Sequence, residues 1–156
     1  MNKSKIKGVK VKVLEPFVDK RGFLVEVFRK DFLKKEILPV MAYVSLTYPK
    51  ISRGPHMHLK QTDYFCFLGT SRFKLYLWDN RPDSPTFKRY EEIDIKEKEI
   101  TIAIIPPKVV HGYKNIGKKE GFIINFPNKL YRGWKKKTRV DEVRFEDMPD
   151  AEFKIK

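Results

Sequence analysis

The chain has 156 residues and a formal net charge of +14, and this length suits one domain with its own core. Its 41% hydrophobic and 13% aromatic residues argue against disorder, although 35% of the residues are charged. The positive charge favours an anionic partner, and composition leaves open nucleic acid, an acidic membrane surface or a phosphorylated small molecule. The densest basic run, WKKKTR at 134–139, is typical of a solvated surface. We expect residues 1–156 to form one domain.

Cysteine content and hydropathy indicate the compartment. Cys66 is the only cysteine, so no disulfide can form within the chain and a reducing compartment is expected. It lies in the apolar run YFCFL, where we expect a buried, unreactive thiol. The basic N-terminus is not followed by the apolar core of a signal peptide, and no apolar run approaches the length of a membrane span. These features predict a cytoplasmic protein without a membrane partner.

Short β-rich runs separated by turn sequences dominate the chain. The predicted strands are 9–15, 22–29, 41–48, 62–68, 72–79, 86–95, 99–105 and 121–126. Connections such as DKRG, NRPDSP and NIGKKEG contain the Gly, Pro, Asn and Asp residues of turns. Only 29–38 has helical spacing, with Phe32, Leu33 and Ile37 on one face. The pattern predicts an all-β antiparallel sandwich or barrel with one short helix.

The three histidines fall into two motifs. His56 and His58 are two residues apart, so on one strand both side chains project to the same face. Their segment resembles the first motif of the cupin superfamily, H-x-H followed by a glutamate and a glycine, with Asp63 in the place of the glutamate. His111 lies in a segment that resembles the second motif, P-x-G-x-x-H-x-x-x-N. The resemblance implies a cupin-type jelly roll, the double-stranded β-helix barrel. The other motif positions hold Gly69, Pro106, Lys108 (a glycine in the motif) and Asn115.

A narrower resemblance rests on four motifs in the same order. DKRGFLVEVF at 19–28 is similar to the D-x-R-G-F-x-x-E segment of the dTDP-4-dehydrorhamnose 3,5-epimerase family. RGPH at 53–56 matches its R-G-x-H, and DNRPDSPTF at 79–87 matches its D-x-R-x-x-S-P-T-F. IPPKVVHGY at 105–113 resembles its I-P-x-G-x-A-H-G-F. The chain is therefore identified as a divergent member of this family.

This resemblance implies an isomerase that acts, without metal, on a nucleotide-linked 4-keto-6-deoxy sugar for polysaccharide biosynthesis. His56 would remove a proton next to the ketone, a role that suits a neutral imidazole. His111 would bind or polarise the substrate, and Arg53 would hold the diphosphate. Arg21 and Glu26 would contact the nucleotide across the interface of a homodimer. The expected partner is a nucleotide-diphosphate sugar and not nucleic acid.

The chain departs from the family pattern at several positions. The family's catalytic acid is a tyrosine in an F-L-Y-K run, and the corresponding FIIN places Ile124 there. The family lysine in G-K-L-V and aspartate in V-F-D-V correspond to Thr62 and Leu75. Candidates for the aspartate that orients the base are Asp141 and Asp147. A single proton transfer, as in one-centre epimerisation or ketoisomerisation, therefore stays open beside double epimerisation. Tyrosines that could replace the acid are Tyr64, Tyr113 and Tyr131.

Other functions remain open at the sequence level. His56, His58, Asp63 and His111 match the three-histidine, one-carboxylate set with which metal cupins bind a divalent ion, so a metal-dependent oxygenase or isomerase is an alternative. A sugar-nucleotide-binding protein that has lost catalysis would explain the missing tyrosine. A nucleic-acid binder would need a basic stripe interleaved with stacking aromatics, which only YRGWKKKTR at 131–139 resembles.

Overall fold

Two five-stranded antiparallel sheets frame the protein in the computed structural model, which describes residues 4–156. The strands are β1 Lys10–Val13, β2 Phe17–Asp19, β3 Gly22–Leu24, β4 Tyr43–Thr47, β5 Ser52–Met57, β6 Asp63–Phe67, β7 Phe73–Asp79, β8 Tyr90–Ile95, β9 Thr101–Ile105, β10 Val109–Asn115, β11 Gly121–Asn125 and β12 Val143–Arg144. Sheet A has the order β1-β9-β6-β11-β4 and sheet B the order β12-β5-β10-β7-β8, while β2 and β3 form a separate hairpin. Each of the eight predicted strands contains one observed strand, so the predicted all-β fold is confirmed.

The core lies between the two sheets, because alternate residues of their strands point inward. The rings of Phe67 on β6 and Phe73 on β7 are 5.4 Å apart, and each lies 5.8 Å from the ring of Tyr113 on β10. Full burial of such a side chain contributes about 1.5–3 kcal/mol. Phe65 contacts both Tyr113 and His111, at 5.8 and 5.7 Å between ring centroids. The core therefore extends directly to the histidines.

The outer face of β6 is covered as well. Tyr64 donates a hydrogen bond to the carbonyl of Val27 at 2.7 Å, and the rings of Phe28 and Phe126 lie 6.2 Å apart. This cover explains the continuous apolar run around Cys66, since both faces of β6 are buried. Cys66 is free and buried as expected, and burial raises the pKa of its thiol to about 11.

Strands β5 and β10 fall outside the predicted set, although they carry His56 and His111, and His58 directly follows β5. Gly54 and Pro55 interrupt the β pattern of β5, and Gly112 interrupts that of β10. A β-carbon at Gly112 would lie 2.7 Å from the carbonyl oxygen of Arg53. The glycine therefore permits the close approach of β10 to β5, where the register shifts between His111 and Tyr113.

The predicted helix at 29–38 is wrong. The segment forms two short 3-10 turns, Lys30–Phe32 and Lys35–Ile37, separated by extended backbone at Leu33 and Lys34. Neither turn buries a residue, and Phe32 is 78% exposed. A helix of this length needs a buried apolar face for stability, and the segment lacks one. A third 3-10 turn, Trp134–Lys136, follows β11. Within residues 4–156 no helix is both long and apolar enough to cross a membrane.

Candidate active site

A cavity of about 1510 Å³ opens between the sheets and is bordered by the chain after β11. Its size exceeds the roughly 300–1,000 Å³ typical of small-molecule pockets. His56 on β5 and His58 just after it line the cavity on one side, and Tyr43 and Ser45 line it from β4. The cavity therefore exposes the two histidines of the first motif together.

Strand geometry brings the third histidine to the other two. His56 lies in β5 and His58 directly follows its last residue, and β10 pairs with β5 so that His111 lies opposite His56. The ring of His56 lies 4.6 Å from that of His111 and 5.6 Å from that of His58, measured between centroids. The predicted convergence of the two motifs is therefore present in the structure.

Asp63 faces the imidazoles from sheet A and is 1% exposed. Its Oδ2 lies 3.2 Å from Nε2 of His58 and 3.1 Å from Nε2 of His111. Its Oδ1 accepts hydrogen bonds from the amide nitrogens of Gln61 at 2.9 Å and Asn125 at 2.8 Å. The carboxylate that the motif placed at position 63 is thus held by four side chains.

The tautomers in this cluster follow from the other ring nitrogens. Nδ1 of His111 lies 2.9 Å from the carbonyl oxygen of Val109, and Nδ1 of His58 contacts the carbonyl oxygen of Asp141. Each Nδ1 therefore carries a proton, and an Nε2 atom facing Asp63 carries one only when its ring is an imidazolium. Burial opposes the charge on His58, but the hydrogen bond from its ring to Asp63 raises the pKa of His58 to about 8. Burial likewise favours the neutral acid, but hydrogen bonds from His111 and His58 hold the pKa of Asp63 well below its usual range.

His56 has the opposite electrostatic environment. Burial and then the charge of His111 lower the pKa of His56 well below 6.5. Ring contacts with His58 and His111 hold the side chain, and no residue in the described part of the chain hydrogen-bonds to it. His56 is therefore a neutral imidazole that faces the cavity beside an ionised pair.

The cavity mouth is rich in cations. Arg53 donates to the carbonyl of Leu46 at 2.9 Å and to the hydroxyl of Thr47 at 3.2 Å, so its guanidinium is held at the wall. The basic run 134–139 is exposed as predicted, with Trp134 74% accessible, and it also borders the cavity. The basic lining residues are Arg53, Lys60, Lys129, Arg132, Lys135, Lys136, Arg139 and Arg144, against the acidic Asp141, Glu142 and Glu146. An anionic ligand would meet an excess of positive charge there.

Three of the predicted substrate contacts do not line this cavity. Arg21 forms an ion pair with Asp19 at 2.5 Å on the β2–β3 hairpin, and Glu26 pairs with Arg29 at 3.0 Å. His111 is 2% exposed and lies behind His56. Within one chain, only Arg53 among the predicted binding residues reaches the cavity.

The two candidates for the orienting aspartate do not contact His56. The carboxylate of Asp141 accepts hydrogen bonds from the backbone N–H groups of Leu59, Lys60 and Gln61 at 3.1, 2.8 and 2.9 Å. Asp147 is exposed. Asp63 instead supplies a carboxylate to the cluster. Leu75, at the position of the family aspartate in V-F-D-V, is a fully buried core residue.

The missing tyrosine is explained by the two faces of β11. Ile123 and Asn125 are the inward residues, so Ile124 points to the outer face. Tyr64 also lies on an outer face, where it binds Val27, and is not a cavity residue. The phenols that line the cavity are those of Tyr43, Tyr113 and Tyr131. Tyr43 was not predicted, although the alternation of 41–48 places it on one face with Ser45 and Thr47.

The alternative metal set is brought together in part. The nearest donor atoms of His56, His58 and Asp63 lie within 4.8 Å of one another, a spacing that could accommodate one divalent ion. His111 contacts the same Oδ2 of Asp63 as His58 does. Imidazole and carboxylate donors suit Zn, Fe, Mn or Ni.

An antiparallel β barrel with imidazoles and a carboxylate at its open end defines a cupin-type protein. The sequence profile of the dTDP-4-dehydrorhamnose 3,5-epimerase family matches residues 3–146. The chain belongs to this family, as its motifs predicted. Membership confirms the predicted activity class, an isomerase of nucleotide-linked 4-keto-6-deoxy sugars.

Individual relatives agree with this assignment. The chain is 41% identical to the probable low-salt glycan biosynthesis epimerase Agl13 of Haloferax volcanii over 128 residues, 81% of each chain. Its fold resembles that of the dTDP sugar isomerase from Desulfovibrio desulfuricans G20, with a TM-score of 0.80, 20% identity and coverage of 96% of this chain and 91% of the other. It also resembles ChmJ, a 3'-monoepimerase from Streptomyces bikiniensis in complex with dTDP-quinovose, with a TM-score of 0.79, 17% identity and coverage of 98% and 77%. These likenesses confirm the predicted jelly roll.

Proposed function

We propose that His56 removes a proton from a carbon next to the ketone of a nucleotide-linked 4-keto-6-deoxy sugar. The observation that carries the proposal is the neutral, cavity-facing imidazole of His56 beside the ionised His58–Asp63 pair. The electron pair of the broken C–H bond moves toward the ketone oxygen and forms an enolate. His56 keeps a proton-accepting nitrogen because burial lowers its pKa, while the neighbouring His58 has its pKa raised by Asp63.

His111 acts in this proposal by positioning His56. Its ring packs 4.6 Å from that of His56, while its own Nε2 faces Asp63. Burial of His111 leaves no surface for a sugar. Its expected role in binding substrate is therefore replaced by support of the base.

Arg53 anchors the diphosphate of the substrate. Its Nε and Nη2 are held by Thr47 and Leu46, and the remaining N–H groups lie at the cavity wall. A guanidinium fixed in this way suits two-point recognition of a phosphate. The cationic mouth supports the same assignment, and ChmJ provides a relative that binds a dTDP-sugar.

A homodimer completes the site. The β2–β3 hairpin exposes Phe17, Val18, Phe23 and Leu24, each more than 60% accessible. A two-stranded hairpin with an apolar surface is marginally stable alone and gains from a partner that covers it. In the dimer, Arg21 and Glu26 reach the nucleotide bound to the partner subunit. We further propose that residues 1–156 act as one domain in the cytoplasm, where nucleotide sugars and a free thiol such as Cys66 are expected.

The direct test is proton NMR of dTDP-4-keto-6-deoxyglucose incubated with the protein in D2O. We expect deuterium to enter at C3, at C5 or at both, and the position distinguishes one-centre from two-centre chemistry. His56→Ala should abolish the exchange while thermal unfolding remains cooperative. Exchange that persists in His56→Ala would overturn the assignment of the base. No exchange with the folded wild-type protein would overturn this substrate class.

A metal-dependent cupin is the second candidate, supported by the proximity of His56, His58 and Asp63. In that function these residues would bind a divalent ion, which would polarise a substrate oxygen as a Lewis acid. Metal analysis of the purified protein and exchange assays before and after chelation separate the two candidates. Exchange that is unchanged after chelation supports the proton-transfer function, whereas loss that a divalent ion restores supports the metal site.

A further inference from the structure

The reaction requires a proton donor as well as a base, and the described part of the chain offers three phenols at the cavity. The hydroxyl of Tyr113 lies in the core, 3.2 Å from the hydroxyl of Ser45, and the residue is 4% exposed. The hydroxyl of Tyr131 is held by none of residues 4–156, and its ring lies on the exposed rim. Tyr43 alone combines access to the cavity with a fixed hydroxyl.

The neighbour that fixes Tyr43 is Asn125. The two residues are directly paired between β4 and β11. Asn125 donates from Nδ2 to the Tyr43 hydroxyl at 2.8 Å and to Oδ1 of Asp63 at 2.8 Å. Its own Oδ1 accepts the backbone N–H of Tyr64 at 3.1 Å, which fixes the orientation of the amide. The phenol of Tyr43 is thereby coupled to the same carboxylate that holds the histidines.

The direction of the hydrogen bond leaves the phenolic proton free. The Tyr43 oxygen accepts from Asn125, and no acceptor for its own proton lies among residues 4–156. Although Tyr43 is 45% exposed, burial of part of its side chain raises the pKa of the phenol to about 12, so the phenol is protonated throughout the neutral range. Tyr43 can therefore act as an acid toward a ligand in the cavity.

We propose that Tyr43 is the catalytic acid of this enzyme and protonates the enolate carbon on the face opposite His56. The proposal rests on the proposed function of His56 and adds the residue that completes it. Tyr43 belongs to sheet A and His56 to sheet B, so the two groups approach a sugar between the sheets from opposite sides. Removal of a proton on one side and addition on the other inverts the carbon.

The proton balance of this cycle is closed. His56 takes the proton and becomes an imidazolium, and the C–H electron pair forms the enolate. The enolate carbon then takes the Tyr43 proton, which restores the ketone and leaves a phenolate. The imidazolium loses its proton to solvent and the phenolate takes one from solvent, so no other reactant is needed.

Tyr43→Phe separates the two proton transfers. In D2O we expect formation of the inverted sugar to fall by about 100-fold or more, the contribution typical of a general acid. Exchange of the substrate C–H should continue within about threefold of the wild-type rate, because His56 can return a solvent deuteron to its own face. His56→Ala should lose both signals. Tyr48→Phe removes the same atom from an exposed tyrosine at the end of the same segment and should leave both rates unchanged.

Two results with Tyr43→Phe would overturn the proposal while leaving the role of His56 intact. One is an epimerisation rate for Tyr43→Phe close to that of the wild type. The other is an equal loss of exchange and inversion in a variant that unfolds like the wild type, since this indicates a structural role. A fluorinated tyrosine at position 43 provides an independent readout. Its more acidic phenol should move the high-pH limit of epimerisation to lower pH, and an unmoved limit would contradict the proposal. Absence of any exchange with the wild-type protein would instead refute the proposed function.

Discussion

The strongest prediction concerns the stability of the protein at mildly alkaline pH. Asp63 raises the pKa of His58 to about 8, against 6.5 in the unfolded chain. A base that binds its proton more tightly when folded stabilises the fold below its unfolded pKa, and this contribution is lost as the pH rises through the folded pKa. The full contribution is about 2 kcal/mol, at roughly 1.4 kcal/mol for each tenfold change in proton affinity.

About 1 kcal/mol of this contribution remains at pH 7 and disappears by pH 9. The wild-type protein should therefore lose about that much free energy of unfolding between the two values, or about 2–4 °C in melting temperature. His58→Gln removes the titrating ring and should flatten the profile between pH 7 and 9. Urea unfolding at both pH values measures the difference.

His56→Gln is the matched control, two residues away along the chain. Burial keeps His56 uncharged above its lowered pKa, so this variant should retain the fall between pH 7 and 9. A wild-type stability that does not change over this range would refute the charged His58–Asp63 pair. A fall that persists in His58→Gln would assign the effect to another group.

Three further predictions concern the site and the strands that carry it. The kcat/KM of the wild-type enzyme should not decline as the pH is lowered through 6.5, because the pKa of His56 lies well below that value. A decline centred at 6.5 would contradict the assignment of the buried His56 as the base. Arg53→Ala should weaken dTDP binding by about 10- to 100-fold in calorimetry, as expected for lost charge-assisted hydrogen bonds. Arg72→Ala, which removes a surface partner of Asp94, should leave the affinity unchanged. Equal affinities of Arg53→Ala and the wild type would refute Arg53 as the diphosphate anchor. Gly112→Ala should destabilise the fold by about 1–3 kcal/mol in urea unfolding, because its β-carbon would lie 2.7 Å from the carbonyl oxygen of Arg53. A stability equal to that of the wild type would show that β5 and β10 separate easily.

The sequence predicts the histidine cluster well because short-range geometry and motifs both determine it. Residues two apart in an extended segment share a face, which relates His56, on β5, to His58 just beyond its end. His111 joins them through the pairing of β5 with β10, which the two cupin motifs imply even though neither strand was predicted from its own residues. A motif can therefore locate a strand whose alternating pattern is interrupted by glycine and proline.

The proposed proton donor, Tyr43, could not be found in the same way. Alternation along 41–48 places Tyr43 on the inner face, but nothing local distinguishes this phenol from the others. Its distinguishing contact is Asn125, 82 residues away, on a strand whose pairing with β4 only the folded chain reveals. The prediction of a helix at 29–38 was wrong for a related reason. Helical spacing does not show whether the folded chain has a surface that buries the apolar face of the helix.

The position of Asp63 explains how the proposed base, His56, can be held without a carboxylate bonded directly to it. Oδ2 of Asp63 faces His58 and His111, and its Oδ1 accepts hydrogen bonds from two amides. The carboxylate therefore acts on His56 only through the rings of these two histidines. Among residues 4–156 no group hydrogen-bonds to the His56 ring, so its nitrogens remain available to the substrate. The same Oδ1 shares the Asn125 amide with Tyr43. One buried carboxylate on β6 therefore contacts the imidazoles that pack on the proposed base and shares an amide with the proposed acid, which links the two sides of the proposed inversion to a single residue.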